Sequence, residues 1–416
     1  MKKMVVIGAG VTGLAFAKSY GPCATVYEAS LTPGGKAGSY VVKLKEGDFH
    51  FDIGGHWFHH QGREDVLRLL DGLDLRSHHR RAFVQMVGLD GKQLVPFPVQ
   101  ANYSNLGDEF KVERIHTELS NLPEQTPRNY DEMLRYSYGE TLYDEFFGPY
   151  NRAMFGLDDL SVLSFTPTDT KRNVRVGNAK GYNGDFVYPA GSLGAGAIPR
   201  QLGQGVDVAY GYKLTQLYPH SRTAVFEFAG REVEVLFRDG MVSTIPLKQL
   251  ADMTYGLPRE FKQIAENLRW SPGRVLNLAV KKNHEQDGLH WCYYPDELFY
   301  RAGFYSEVER ALAPEGYNTM YVEVSPKNMD VPVEDIIRNL ISVGLLTSFE
   351  DVLHQDDIRL PFNYCISTPE SEALREFYRK QGIYSMGRYG AWYWGSQHED
   401  IISAVDLSLS LQSVSV

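Results

Sequence analysis

Apolar and polar positions alternate along this chain in blocks that predict its elements. An apolar run, Met4-Val5-Val6-Ile7, breaks at once into Gly8-Ala9-Gly10-Val11-Thr12-Gly13. Apolar residues then follow at helical spacing through Leu14, Ala15, Phe16 and Ala17, and a second apolar run over 24–27 ends in Glu28. This predicts a strand, a tight turn, a helix and a strand. Alternating aromatics in Phe49-His50-Phe51 predict a strand that runs into Gly54-Gly55-His56-Trp57. Residues 103–165 hold few breakers, and amphipathic spacing predicts helices near 109–120, 127–138 and 139–155. Alternation predicts strands over 206–209, 233–236 and 273–282, and a helix is expected over about 398–412.

The glycines sharpen the first block. G-x-G-x-x-G between a strand and a helix, with an acid closing the next strand, is the layout of a dinucleotide-binding βαβ unit. Gly8 allows the sharp turn, Gly10 lets the backbone approach a pyrophosphate, and Gly13 lets the helix pack close to the strand. The helix start offers unpaired N–H groups and a positive dipole end to phosphates. Glu28 can accept hydrogen bonds from both ribose hydroxyls.

Composition narrows the class without naming a reaction. A length of 416 residues suits two or three packed subdomains. A net charge of −10 argues against non-specific nucleic-acid binding, although a local basic pocket for phosphates remains compatible with it. Cys23, Cys292 and Cys365 show neither metal spacing nor a disulfide framework, so no metal role is expected and a reducing compartment fits. Lys2 and Lys3 precede an apolar run that ends too soon for a signal peptide, and no run approaches a membrane span. The expected location is cytoplasmic.

Two further glycine stretches carry a family resemblance. Gly34-Gly35-Lys36-Ala37-Gly38, soon after the ribose acid, resembles the flavoprotein extension of the dinucleotide fold. It implies FAD, with Thr12, Gly35 and Lys36 joining the first glycines around it. Phe51-Asp52-Ile53-Gly54-Gly55-His56-Trp57-Phe58 resembles the flavin-contacting loop of UDP-galactopyranose mutases, which share a fold with amine oxidases and protoporphyrinogen oxidases. The resemblance implies that Gly54, Gly55 and His56 face the flavin, against the plainer reading of His56 as a structural side chain.

Motifs from residue 8 to residue 397 extend the resemblance over nearly the whole chain, among them Met241 to Leu247, which resembles a strand common to this flavoprotein superfamily. Pro96-Phe97-Pro98-Val99-Gln100 and Pro149-Tyr150-Asn151 resemble nucleotide-pocket segments, implying Phe97, Gln100 and Asn151 at the substrate. Arg172 or Arg175 would be the loop arginine that closes on a diphosphate, and Asn183 opens the segment that returns to the cofactor domain. Trp291-Cys292-Tyr293-Tyr294-Pro295 followed by Phe299-Tyr300-Arg301 implies Trp291 and Tyr293 at substrate and Arg301 on its diphosphate, the plainer reading of Arg301 being a structural ion pair. Arginine suits that role because its planar fork donates two hydrogen bonds to a phosphate. Tyr364 is implied near the sugar, and Arg388 and Gln397 at the flavin. Two positions depart from the family pattern. Trp394 stands where a diphosphate-binding tyrosine is expected, with Tyr393 one residue earlier, and Phe155 replaces a tryptophan of the nucleotide pocket.

The expected fold is α/β: a Rossmann-like FAD domain with a helical insert and an antiparallel sheet for substrate. The expected boundaries are FAD domain 1–82, 183–258 and 381–416, sheet domain 83–102 and 259–380, and helical substrate domain 103–182. The resemblance implies a nucleotide-sugar mutase that interconverts pyranose and furanose forms, with reduced flavin N5 as nucleophile and no net redox. NAD(P)H or another reductant would reduce the flavin, and the oligomeric state stays open. A redox enzyme like the amine and protoporphyrinogen oxidases is the first rival, and a flavin-binding scaffold without catalysis is the second.

Overall fold

The computed structural model describes residues 2–59, 63–88, 91–106, 109–164 and 185–413. Its first sheet has five parallel strands in the order 383–385, 241–243, Met4–Ile7, Ala24–Glu28 and Asp207–Tyr210. The opening strand is apolar throughout because both of its faces are covered. Met4 and Val6 pack with the helices Val11–Tyr20 and Gln397–Ser413, whereas Val5 and Ile7 pack with Leu247, Leu250 and Trp392 on the other side.

A second sheet has seven strands, in the order 352–366, 269–281, 317–324, 299–304, 291–293, 82–88 and 91–96. Neighbours run antiparallel except 291–293 beside 82–88. The helical stretch 109–155 packs through Tyr138, Leu142, Phe146 and Phe155 into the core that this sheet shares. Among the described residues no helix is long and apolar enough to cross a membrane.

Several elements differ from the sequence reading. The strand expected over 241–247 stops at Ser243, because Thr244 turns to bond Ile7 O through its N–H (3.0 Å) and its Oγ1 (2.8 Å). Residues 247–253 of that stretch form a helix after Pro246. The two helices expected over 127–138 and 139–155 become Tyr130–Leu142, a π-helical turn over Tyr143–Phe147, and Gly148–Phe155. Asn129 delays the start by capping the Glu132 N–H at 2.9 Å, and Gly139, with φ of 78°, interrupts the run.

Strand Gly47–Asp52 ends against the seven-stranded sheet. Asp52 is 1% exposed, and its carboxylate accepts from Ser39 Oγ (2.5 Å), Tyr188 Oη (2.5 Å) and Ala195 N (3.0 Å) in the cofactor-binding half. Its main-chain carbonyl accepts from Asn277 Nδ2 (2.7 Å) of the seven-stranded sheet and from Tyr305 Oη (2.9 Å) of the helical turn after strand 299–304. Burial pushes the Asp52 carboxyl up to about 6, against the pull of its three donors. Its folded pKa therefore lies above the ordinary carboxylate value. The stability it contributes is complete near pH 4 and lost as pH rises through about 6. We expect wild type to lose stability relative to Asp52→Asn across this window, by on the order of 1–3 kcal/mol, with no further change above pH 7. Denaturant melts of both proteins from pH 4 to 8 measure it, and a constant difference would remove Asp52 from the pH response.

Candidate functional site

A cavity of about 540 Å3 runs from the first glycine turn to the inner face of the seven-stranded sheet. The three glycines of that turn do three different things. Gly8 sits at φ of 99°, and a Cβ there would run into Thr244 Oγ1. A Cβ on Gly13 would strike Gly8 O. A Cβ on Gly10 would meet no protein atom within 4 Å, and Gly10 lines the cavity. Gly10 is thus the place where backbone, free of a side chain, faces a ligand.

The second glycine loop is paired to the first. Gly34 N donates to Ala9 O at 2.8 Å, and Gly34, with φ of 127°, forms a bridge with Gly10. This brings Lys36 into the cavity wall, its Nζ 3.9 Å above the Tyr389 ring. That ammonium is buried without a hydrogen-bond partner, and burial, with Arg388 adding to it, lowers its pKa to about 7. Glu28 lines the cavity while accepting from Ala9 N (2.6 Å), Ser30 N (2.8 Å) and Ser30 Oγ (2.8 Å). Its two oxygens retain lone pairs for further donors.

At the far wall, Gly395-Ser396-Gln397 opens the closing helix onto the cavity. Gln397 buries both amide atoms without partners, and so does Arg388 with its Nε. Buried polar atoms are normally satisfied, so an unpaired ammonium, an unpaired guanidinium Nε and an unpaired amide around one cleft describe a missing polar ligand. Lys36 and the start of the first helix suit a pyrophosphate, Glu28 a ribose, and Arg388 and Gln397 a polar ring edge. The residues present fit FAD.

The loop from Ile53 to Trp57 forms the roof, where Gly55, His56 and Trp57 line the cavity. Gly54 has φ of 81°, and a Cβ there would lie 2.9 Å from Glu323 Oε1. His56 Nδ1 donates to Gly54 O at 3.0 Å. Burial lowers the His56 pKa to about 4, with Arg388 and Arg301 adding to the effect, so the ring is neutral at pH 7.

Beyond the roof the wall is aromatic and holds one ion pair. Tyr150, Met154, Tyr293, Tyr364 and Trp394 surround Arg301 and Glu323. These two face each other on adjacent strands, with Arg301 Nε 2.5 Å from Oε2 and Nη2 2.8 Å from Oε1. Burial works against the Arg301 charge, and Glu323 more than offsets it, so the group stays cationic. The arginine expected on a diphosphate thus has one edge committed to a carboxylate while lining the cavity.

Of the other expected contacts, Gly8, Gly10, Thr12, Glu28, Gly35, Lys36, Gly55, His56, Arg388 and Gln397 line the cavity with Tyr293, Tyr364 and Trp394. Gly13 and Gly54 lie behind this surface as packing positions. Trp291 forms a second layer, stacked on Trp57 at 5.6 Å. Phe97 lies behind Tyr293 at 4.9 Å, and Gln100 is buried away from the cavity. Asn151 spends its amide internally, accepting from Tyr130 Oη (2.9 Å) and donating to Phe147 O (2.7 Å). Phe155 backs Trp394 at 5.4 Å and Tyr364 at 6.0 Å.

Of the two neighbours Tyr393 and Trp394, Trp394 lines the cavity. Trp392 takes φ of 54°, which turns Trp394 to the cavity and sends the Tyr393 hydroxyl to Asp400 Oδ1 at 2.7 Å. Arg172, Arg175 and Asn183 lie outside the described residues. The sequence reading missed Thr244, Glu323 and Asp400, all of which line the cavity. Glu323 had a signal: it is an acid inside an apolar strand, Tyr317–Val324. Asp400 had none, since acids are ordinary in a first helical turn.

The profile of the flavin-containing amine oxidoreductase family matches residues 13–337. A comparison with curated proteins finds no sequence match. Among solved structures, reduced UDP-galactopyranose mutase superposes with a TM-score of 0.87 at 25% identity, over 100% of this chain and 96% of that one. An oxidoreductase from Methanosarcina mazei gives a TM-score of 0.69 at 16% identity, covering 97% and 99%. Putrescine oxidase bound to putrescine gives 0.68 at 14%, covering 99% of both chains.

Two outcomes follow from this geometry. Gly10→Val, whose side chain enters open cavity, should fold with near-native stability and purify without FAD, whereas Gly13→Val should fail to fold. Absorbance at 450 nm and circular dichroism distinguish the two, and a yellow Gly10→Val protein would overturn the placement. The second outcome concerns Lys36, which must be protonated to help hold a pyrophosphate. Above its apo pKa of about 7, FAD affinity should fall by up to tenfold per pH unit. Lys36→Met should flatten that slope in a titration of the apoprotein.

Proposed function

The chain belongs to the flavin-containing amine oxidoreductase family and is an FAD-binding flavoenzyme, and from that premise we propose that it is a nucleotide-sugar mutase interconverting pyranose and furanose rings. The observation that carries this reading is Arg301, a guanidinium fixed by Glu323 inside an aromatic wall next to the flavin-facing loop. A buried cation there suits an anionic leaving group such as a nucleoside diphosphate. The likeness to reduced UDP-galactopyranose mutase over almost the full length of both chains supports the same reading.

Reduced flavin, when bound, supplies a nucleophilic N5 for the anomeric carbon, and the reaction has no net redox. The chain's own residues handle charge, geometry and water. Arg301 keeps the guanidinium edge opposite Glu323 for the diphosphate, whose charge grows as the anomeric bond breaks. Glu323 restrains that guanidinium, so little order has to be gained at the moment of reaction. Tyr150, Tyr293, Tyr364 and Trp394 shield the sugar from water and offer faces along which it can lie. His56 is neutral at pH 7 and adds no charge near the ring. The expected reductant is NAD(P)H or a similar donor, and the expected substrate is a UDP-hexose or related nucleotide sugar.

The direct test incubates the dithionite-reduced protein with UDP-galactopyranose and a panel of other nucleotide sugars, read by chromatography. Furanose product without net use of reductant supports the proposal. Oxygen consumption in step with amine oxidation would replace it with the oxidase reading. Arg301→Lys is the informative variant. Arg301→Ala would strand a buried Glu323 and cost about 3–5 kcal/mol of stability. Lysine keeps the charge but cannot serve carboxylate and phosphate with one planar fork. Losing one charge-assisted hydrogen bond, about 1.5–3 kcal/mol, should lower kcat/KM by roughly 10- to 150-fold with FAD content unchanged. A flavin-fluorescence titration with UDP on the reduced protein measures the binding share, and unchanged affinity would take Arg301 off the diphosphate.

A further inference from the structure

We propose that Tyr305 is a positioning residue for the flavin-facing loop, its hydroxyl holding the Gly54 peptide so that the Gly54 carbonyl fixes the His56 ring. Tyr305 starts a short helical turn after strand Phe299–Phe304 and is 0% exposed. Its hydroxyl accepts from Gly54 N at 3.0 Å and shares its single proton between Asp52 O (2.9 Å) and Asn277 Oδ1 (3.1 Å). Asn277 is held in turn, donating through Nδ2 to Asp52 O (2.7 Å) and Tyr40 Oη (3.1 Å). Tyr40 donates to Asp356 Oδ2 at 2.8 Å. The hydroxyl therefore has its three partners arranged by two separate strands, Gly47–Asp52 with the loop that follows it and 269–281.

The consequence lies one peptide further on. Gly54 is left-handed, a conformation that glycine holds without preference, so its peptide plane needs an external anchor. With the Gly54 N–H tied to Tyr305, the Gly54 carbonyl accepts from His56 Nδ1 at 3.0 Å. A carbonyl can only accept, so His56 carries its proton on Nδ1 and leaves Nε2 to the cavity. Gly54 also packs against Glu323, so the same anchor sets the loop beside the Arg301 ion pair. Tyr305 touches neither the cavity nor Arg301 within hydrogen-bonding reach, and it acts through Gly54. This inference uses the FAD assignment and does not depend on the mutase reading.

Tyr305→Phe removes only the hydroxyl. The Gly54 N–H loses its partner in a buried setting, and the peptide is free to reorient. In the FAD-loaded protein at pH 7, 15N spectra of labelled histidine should show His56 as the Nδ1–H tautomer in wild type and as a mixture with Nε2–H in the variant. FAD dissociation should strengthen by about tenfold, the scale of one lost hydrogen bond. Tyr378→Phe is the control, because its buried hydroxyl bonds Thr254 Oγ1 at 2.8 Å, remote from the loop. It should lower Tm without moving the His56 tautomer or the FAD affinity. If Tyr305→Phe behaves like Tyr378→Phe in all three readouts, the proposal is overturned. Should Tyr305→Phe not fold, amide exchange in wild type decides. Gly54 should exchange only through global unfolding, and exchange at the rate of an open loop would refute the anchor.

Discussion

Everything at the cleft depends on one buried carboxyl. Asp52 ties Ser39, Tyr188 and the Ala195 N–H to its side chain, and Asn277 of the seven-stranded sheet and Tyr305 of the turn beside it to its carbonyl. Removing it would leave Ser39, Tyr188 and the Ala195 N–H without their acceptor in a dry setting, where an unmet group costs more than a hydrogen bond gains. The raised pKa of Asp52 measures how strongly this position resists charge, and its donors are what make a charge there tolerable. Because the loop Ile53–Trp57 begins at the next residue, Asp52 also fixes where the stretch that carries His56 starts.

The same economy of charge runs through the cavity. Arg301 and Glu323 neutralise each other where a lone ion would be costly, and each still presents atoms to the cleft. Lys36 has no such partner, so burial drives it toward the neutral form until an anion arrives. Arg388 and Gln397 lie close by with unmet polar atoms. The cleft is thus partly neutralised at its substrate end and left unsatisfied at its cofactor end. That asymmetry suits a resident dinucleotide and an exchangeable anion.

The cofactor end was legible because its physics is local. Gly8, Gly10, Gly13 and Glu28 fall within one βαβ unit, and the βαβ spacing alone states which atoms approach which. The substrate end was less so. Asn151 stands in a motif implied to face a nucleotide, yet its amide is used by Tyr130 and Phe147, a pairing that depends on how two helices pack. Tyr393 and Trp394 are neighbours of similar chemistry, and only the left-handed turn at Trp392 decides which of them reaches the cavity. The strand predicted through residue 247 ended early for a comparable reason, since Thr244 bonds a residue 237 positions away.

What the sequence determined by itself was therefore the opening βαβ unit, the approximate place of several later strands and helices, and the chemistry of the first fifty-odd residues, where periodicity, glycine placement and short spacings act within a few turns of chain. Only the tertiary structure decided that Glu323 lies opposite Arg301, that Asp400 meets Tyr393, and that Tyr305 reaches back 251 residues to hold Gly54. Each of these joins separate elements, the Tyr393–Asp400 pair across only seven residues, and is fixed by strand register or by which face a turn presents. A single chain carries no local signal for such a contact, because the free energy that selects it belongs to the packed core and not to any one segment.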